Sequence, residues 1–336
     1  MSAAKPEHRN DPITVGGVTV APGRKVRLDL PFARLVTGSR ASLPVSVVNG
    51  RTAGPQVWLS GAIHGDELNG VEIVRRVLAR LDARRLRGAV IAVPIVNPLG
   101  FAAGSRYLPD RRDLNRSFPG SRRGSTASRL AYLFRTEIVE QCSFGIDLHT
   151  ATNHRINLPQ VRADCDDPET VALAKAFGAP FTIHARVRDG SLRQTAADLG
   201  IKVLIYEAGQ AHSFDEDAIE LGVNGVLRSL RSIGLIDERL PRPVMSKFIR
   251  RTRWLRSRRG GLVNIDVALG QHVVEGDVMA RVSDAFGTRP TSIRSQHAGW
   301  VIARTLNPIV SPGDALVHLA SSEGPDRDEP AEMRRR

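Results

Sequence analysis

The sequence predicts an α/β domain, a largely parallel or mixed sheet flanked by helices, followed by a small all-β domain. Three observations lead there. From Gln56 onward short apolar runs alternate with helical segments, which is the signature of a layered α/β structure. Phe248 to Arg259 (FIRRTRWLRSRR) is dominated by arginine and follows Pro241 and Pro243, which reads as a break. Beyond it the texture is β throughout, as in GLVNIDVALGQHVVEGDVMARV and GWVIARTLNPIVSPGDALVHLA. The expected organisation is a disordered start over 1–12, a main domain over 13–240, a basic linker over 241–260, a β domain over 261–320 and a disordered tail over 321–336.

Taken in order, Ile13 to Val48 alternates apolar and polar residues between glycine and proline breaks, which predicts antiparallel strands at a domain edge. The candidate core strands are QVWLS, AVIAVPIV, FGIDL and KVLIYEA. Between them, Leu68 to Leu81 places Val71, Val74, Leu78 and Leu81 on one helical face. Asp167, Pro168 and Glu169 supply an N-cap, a first-turn proline and a dipole-matched acid, and Gly178 ends that helix. Ser191 with Gln194 fits a capping box closed by Gly200. A longer helix runs from about Asp215 to Ile233. In the β region, Val273 precedes Gly276-Asp277 and Val310 precedes Gly313-Asp314, a recurrence that suggests a twofold-pseudosymmetric, barrel-sandwich-like fold.

Composition narrows the function classes. The chain has 336 residues, 41% of them hydrophobic, enough for a large core. No apolar stretch approaches the roughly 18 residues a membrane span needs, and Met1 to Asp11 has no apolar leader region. Cys142 and Cys165 are the only cysteines and form no Cys-x-x-Cys pair, so the expectation is a soluble protein of a reducing, cytoplasmic compartment. The net charge of +13 lies largely in the arginine run and the terminal Arg334 to Arg336. Aromatics are sparse and not interleaved with charge outside that run, so the charge reads as a solvated basic linker and tail rather than a nucleic-acid groove.

Three of the core strands lead to chemistry. QVWLS runs into GAIHGDELNG, FGIDL into His149, and KVLIYEA contains Glu207, while the second strand runs into an arginine-rich loop. In open α/β sheets the ligand crevice lies outside the carboxyl ends of the strands, so these residues converge. A His-x-x-Glu pair alone is weak evidence, since histidines near glycine turns are often capping or surface groups. His64 and Glu67 together with His149 make a His₂Glu set, which leaves the fourth position of a zinc ion open for water. Glu207 is then a candidate to take the proton of that water and return it to the leaving amine.

The blocks GAIHGDELNG, NPLGFAAGSRYLPDRRDLNRSFPG, DLHT and YEAG, in that order, resemble the succinylglutamate desuccinylase and aspartoacylase family of zinc enzymes, related in fold to the zinc carboxypeptidases. The resemblance covers about Pro55 to Leu235 and continues weakly to Ala320. It implies a zinc-carboxypeptidase-like sheet and one Zn2+ held by His64, Glu67 and His149, with Glu207 as general base or acid. Arg106 corresponds to the arginine that polarises the scissile carbonyl, and Asn115 and Arg116 to the pair that grips the substrate carboxylate. The β domain is then expected to shape the active-site entrance; with no lysine after Lys247 it carries no lipoyl or biotinyl group.

Weaker candidates stay open. Asp147 is either a support for His149 or structural. His154 fits substrate contact and loop packing equally well. Arg193 either reaches an anionic substrate or is an exposed helix arginine. His8, His184, His212, His272, His297 and His318 read as ordinary histidines. The resulting expectation is a deacylase for a small anionic N-acyl amino acid. The alternatives are a carboxypeptidase and, in another class, a non-enzymatic nucleic-acid or interaction protein using the basic segment. Oligomeric state, a homo-oligomer included, is left open, and so is a cobalt or manganese ion in place of zinc.

Overall fold

The computed structural model describes residues 8–186 and 188–321. The chain divides into two units, one of the described residues up to Asn153 with Pro159–Lys247, the other His154–Leu158 with the residues from Phe248 onward.

The first unit opens with β1 (Ile13–Val15), β2 (Val18–Val20), β3 (Arg24–Arg34) and β4 (Arg40–Asn49), the antiparallel edge that the alternating pattern predicts. There follow β5 (Thr52–Gly61), α1 (Asn69–Arg80), β6 (Arg87–Val93), α2 (Pro98–Ala102), α3 (Thr126–Glu137) and β7 (Phe144–Ala151). Next come β8 (Arg155–Ala163), α4 (Pro168–Phe177), β9 (Phe181–His184), α5 (Leu192–Asp198), β10 (Lys202–Gln210) and α6 (Glu216–Ser232). The sheet order is β8-β10-β7-β5-β6-β4-β3. The pairs β10–β7, β7–β5 and β5–β6 are parallel, whereas β6–β4 and β4–β3 are antiparallel, so the sheet is mixed.

Alternating side chains divide between two cores. Val57, Leu59, Ile146, Leu204 and Tyr206 join the apolar stripes of α1, α4 and α6. Trp58, Ile91, Val203 and Val47 join α3 and α5 on the other face. The N-caps at Asp167 and Ser191 hold, their side chains accepting from the backbone N–H of Thr170 and Gln194, but the capping box at α5 is not reciprocal, since Ser191 N–H goes to the Arg188 carbonyl and the Gln194 amide to Asp198; Asp215 caps α6 through Ala218 N–H. Gly178, with φ of 73°, ends α4 in the left-handed region that favours glycine.

The second unit contains β12 (Thr252–Arg256), preceded by β11 (Lys247–Ile249), and then β13 (Gly261–Ile265), β14 (His272–Val273), β15 (Val278–Ser283) and β16 (Thr291–Arg294). It ends with β17 (Gly299–Thr305), β18 (Ile309–Val310) and β19 (Ala315–Ser321). One sheet runs β12-β19-β17 with β14 against β17, and a second runs β16-β15-β13-β18. Val263, Met279, Val282, Val301, Leu316 and Val317 form the core of this unit. The two recurring phrases fold alike: Asp277 accepts from Val274 N–H at 2.9 Å and Asp314 from Ser311 N–H at 2.7 Å. Gly276 and Gly313 share a φ of 90°.

Two expectations need correction. The basic segment is not a free linker: Lys247–Ile249 and Thr252–Arg256 are strands, and the second pairs along β19. Its apolar members decide this, since Trp254 stacks on His318 with ring centroids 4.3 Å apart while Arg253 and Arg256 stay exposed. Counting charge concealed the half-buried Trp254 and Leu255 at its centre. At the amino end, 1–7 lie outside the described residues, but His8 and Asn10 are ordered by hydrogen bonds to Ala53 and Arg51. Of the expected tail, Ser321 closes β19 and 322–336 lie outside the described residues.

Candidate active site

The site begins where β5 ends. Val96 N–H and Asn97 N–H donate to the carbonyls of Gly61 and Ala62 at 3.0 and 2.9 Å, which fastens the turn carrying His64 to the start of α2. Gly65 lies so close to α2 that a Cβ there would sit 2.0 Å from the Gly100 carbonyl carbon and 2.2 Å from Phe101 N. Only glycine allows this approach, and it fixes His64 and Glu67 on either side of it.

His64, Glu67 and His149 come together, all buried, with one ligand atom of each within 4.8 Å of the others. His64 Nδ1 lies 2.7 Å from Glu67 Oε1 and His149 Nδ1 lies 2.9 Å from Glu67 Oε2. Each ring turns its other nitrogen to a different carboxylate: His149 Nε2 to Asp147 at 2.8 Å, His64 Nε2 to Asp113 at 3.2 Å. Asp147 also accepts from Ser60 Oγ at 2.7 Å, its register partner on β5. The strand is regular, so Asp147 and His149 share a face and Asp147 supports the ring. Burial opposes ionisation throughout, yet the carboxylates outweigh it: Glu67 and Asp113 raise the pKa of His64, and Asp147 and Glu67 raise that of His149 further. Glu67, fully buried, is held well below the usual carboxylate range by the two imidazoles.

Asp113 links this centre to the next loop. It accepts from Arg106 Nη2 at 2.7 Å, and Arg106 Nη1 lies 3.7 Å from Glu67 Oε1. His64 and Arg106 together hold Asp113 below its ordinary range in spite of its burial. Asp113 Oδ1 also takes Asn115 N–H at 2.9 Å. Asn115 Oδ1 accepts Leu192 N–H at 2.9 Å, so its side-chain oxygen is committed to the first residue of α5 and its amide NH₂ is the group left to donate. Arg116 is exposed.

Glu207 is the direct register partner of His149 across β10 and β7, which sets the two strand ends side by side. Arg162 Nε on β8 lies 3.7 Å from Glu207 Oε1. Arg193, in the first turn of α5, donates through Nη2 to the Arg186 carbonyl and is pushed down to about 10 by burial and by Arg162 and Arg188. Asp113, Arg162 and Arg188 escaped the sequence reading. Asp113 was legible in principle, as the residue before the LNR block; Arg162 was not, because β8 carries no pattern that predicts its place beside β10. Pairing of Ala163 with His184 brings that histidine near Asp164 and Asp166, at 3.9 and 3.8 Å, but both acids are exposed and His184 Nδ1 already accepts Cys165 N–H.

Comparisons with known proteins identify the chain's relatives. The family model described as the succinylglutamate desuccinylase/aspartoacylase catalytic domain matches residues 53–233. The chain belongs to this family. Among family relatives, N-alpha-acetyl-L-2,4-diaminobutyric acid deacetylase of Halomonas elongata is 32% identical over 292 residues, 83% of this chain and 85% of that protein. Succinylglutamate desuccinylase of Pseudomonas aeruginosa is 29% identical over 237 residues, 62% of this chain and 67% of that one. The product-bound ectoine utilization protein EutE from Ruegeria pomeroyi has a TM-score of 0.81 at 25% identity, covering 90% of this chain and 98% of that one. The α/β fold is therefore that of the family's solved structures. None of the helices among the described residues is long and apolar enough to cross a membrane.

Proposed function

We propose that this protein is a metal-dependent deacylase that hydrolyses the amide bond of a small N-acyl amino acid. One observation carries the reading: two buried imidazoles present Nδ1 to a common carboxylate, each is backed by a second carboxylate, and Glu207 stands in register with one of them. The donor set fits a zinc ion, being two imidazoles and a carboxylate with the outer partners that orient metal-binding histidines. His64, Glu67 and His149 would hold it. Bound there, it would supply Lewis-acid activation of water and of the scissile carbonyl.

The remaining roles fall to the chain's own side chains. Asn115, through its amide NH₂, and Arg116 hold the substrate carboxylate, and Arg193 stands close by to add positive charge. Arg106, fixed by Asp113, offers a guanidinium to the negative charge that develops on the carbonyl oxygen. The Glu207 carboxylate takes a proton from the attacking water and delivers it to the leaving nitrogen. The substrates named for the Halomonas and Pseudomonas relatives, an acetylated diamino acid and a succinylated glutamate, support the N-acyl amino acid class. Cys142 and Cys165 form no disulfide with each other, in keeping with a cytoplasmic location.

The test is release of primary amine by the zinc-loaded protein from N-acetyl and N-succinyl amino acids, with short peptides alongside. Release from the acyl amino acids alone is the expected result. Release from peptides alone would transfer the same residues to a carboxypeptidase.

A further inference from the structure

A cleft of about 920 Å³ in the first unit is lined by Arg231, Asp237, Arg239, Leu240, Pro241 and Arg242. Topology sets it apart from the proposed active centre. α6 follows the end of β10, where Glu207 stands, and its 17 residues carry the chain about 25 Å back along the sheet. Leu235, just beyond that helix, accepts Arg87 N–H at 2.9 Å, and Arg87 opens β6, whose parallel neighbour β5 runs toward His64. The cleft therefore belongs to the amino ends of the parallel strands, whereas His64, His149 and Glu207 stand at their carboxyl ends.

Its wall is fixed by packing. Arg228 donates through Nε to the carbonyls of Ala176 and Phe177 at the end of α4, and through Nη1 to the Pro241 carbonyl at 3.5 Å. Pro243 lies so close to Gly178 that a Cβ on that glycine would sit 2.4 Å from Pro243 Cβ. Leu240 packs against the core shared by α1, α4 and α6.

The charge in this cleft is unanswered. Arginines of the neighbouring helix α1 have acidic partners: Arg75 and Arg76 pair with Glu72, and Arg80 pairs with Glu238. Among the described residues, the side chains of Arg231, Arg239 and Arg242 make no hydrogen bond or ion pair, and Asp237 is the single acid of the lining. Arg84 and Arg85, exposed and equally unpaired, stand in the turn before Arg87. A planar guanidinium binds the oxygens of a phosphate or carboxylate in pairs, and a concave surface of one charge sign concentrates its counter-ions. Three guanidiniums against one carboxylate leave two positive charges, so the matching ligand carries at least two negative ones.

We infer that this cleft binds a small multivalent oxyanion, a compound with two or more phosphate or carboxylate groups, at a site separate from the active centre. The inference stands apart from the deacylase reading, because none of the lining residues takes part in it.

The experiment is isothermal titration calorimetry of the full chain with inorganic pyrophosphate and with citrate at low ionic strength, with circular dichroism to confirm the fold of each variant. Wild type should bind about one equivalent of the preferred anion per chain, and His149→Ala, which removes a proposed metal ligand, should bind it equally well. The triple variant Arg231→Gln, Arg239→Gln, Arg242→Gln should bind at least about tenfold more weakly. Asp237→Asn removes the opposing carboxylate and should bind up to about fivefold more tightly. Acetate, with one charge, should not compete. Tighter binding of pyrophosphate identifies a phosphate-bearing ligand, and tighter binding of citrate a polycarboxylate. Absence of saturable binding by both anions, or an affinity unchanged in the triple variant, would overturn the site. So would loss of binding in a folded His149→Ala, which would put the anion on the proposed metal centre. None of these readouts depends on turnover, so the deacylase reading stands or falls separately.

Discussion

Replacing Asp147 with asparagine changes one atom and isolates what that carboxylate does for His149. Asp147 is buried, accepts from Ser60 Oγ at 2.7 Å and faces His149 Nε2 at 2.8 Å. As a carboxylate it can only accept, so Nε2 keeps a proton, and Nδ1, which faces Glu67, is the nitrogen that gives up its own proton to present a lone pair when a metal binds. In Asp147→Asn the amide oxygen can keep the Ser60 bond, which turns the NH₂ toward His149. That group donates, so Nε2 must become the acceptor and the proton moves to Nδ1, the atom proposed to bind metal. Loss of such an outer partner costs about 10- to 100-fold in metal affinity, or about 1.4–2.8 kcal/mol. The assay is competition for zinc against a chromophoric chelator, with far-ultraviolet circular dichroism to confirm the fold. An affinity within about twofold of wild type would show that Asp147 does not set the ring's tautomer.

Other perturbations separate packing from chemistry. Gly65→Ala should destabilise by at least about 3 kcal/mol in urea unfolding and weaken zinc binding together with it, because the added methyl meets backbone atoms of Gly100 and Phe101. Asp167→Ala should cost about 1 kcal/mol at pH 7 through loss of the α4 cap. The bond to Thr170 holds the Asp167 pKa below its ordinary value, so the cap contributes fully above about pH 4 and fades as pH falls through the folded pKa; the difference between wild type and variant should therefore shrink at low pH. Cys142 is buried, which pushes its thiol pKa up, and Cys165 is half-exposed. A thiol reagent should therefore label Cys165 rapidly in the native protein and Cys142 only after unfolding.

Much of this site could be read from the sequence because its residues stand at the ends of apolar runs. His64, His149 and Glu207 follow or close β5, β7 and β10, and parallel pairing of those strands brings their ends together. The helix caps were legible for a local reason, since each needs only a side chain and a backbone N–H three residues on. Arg162 was hidden because β8 follows β7 in the chain yet lies beyond β10, a pairing that local patterns do not encode. Arg188 sits in a turn whose course depends on Asn115, some seventy residues earlier. The basic run misled for the opposite reason: its charge is conspicuous, whereas what makes Thr252–Arg256 a strand is pairing with β19, far along the chain, where Trp254 stacks on His318.

The measurement that bears most directly on the proposed centre is the ratio of bound zinc to protein, by plasma mass spectrometry after dialysis, in the wild type and in His149→Ala and Glu207→Gln. The account predicts about one zinc per chain in the wild type and in Glu207→Gln, which should have lost most of its turnover, and almost none in His149→Ala. Equal zinc in His149→Ala and the wild type, or full turnover by Glu207→Gln, would contradict it.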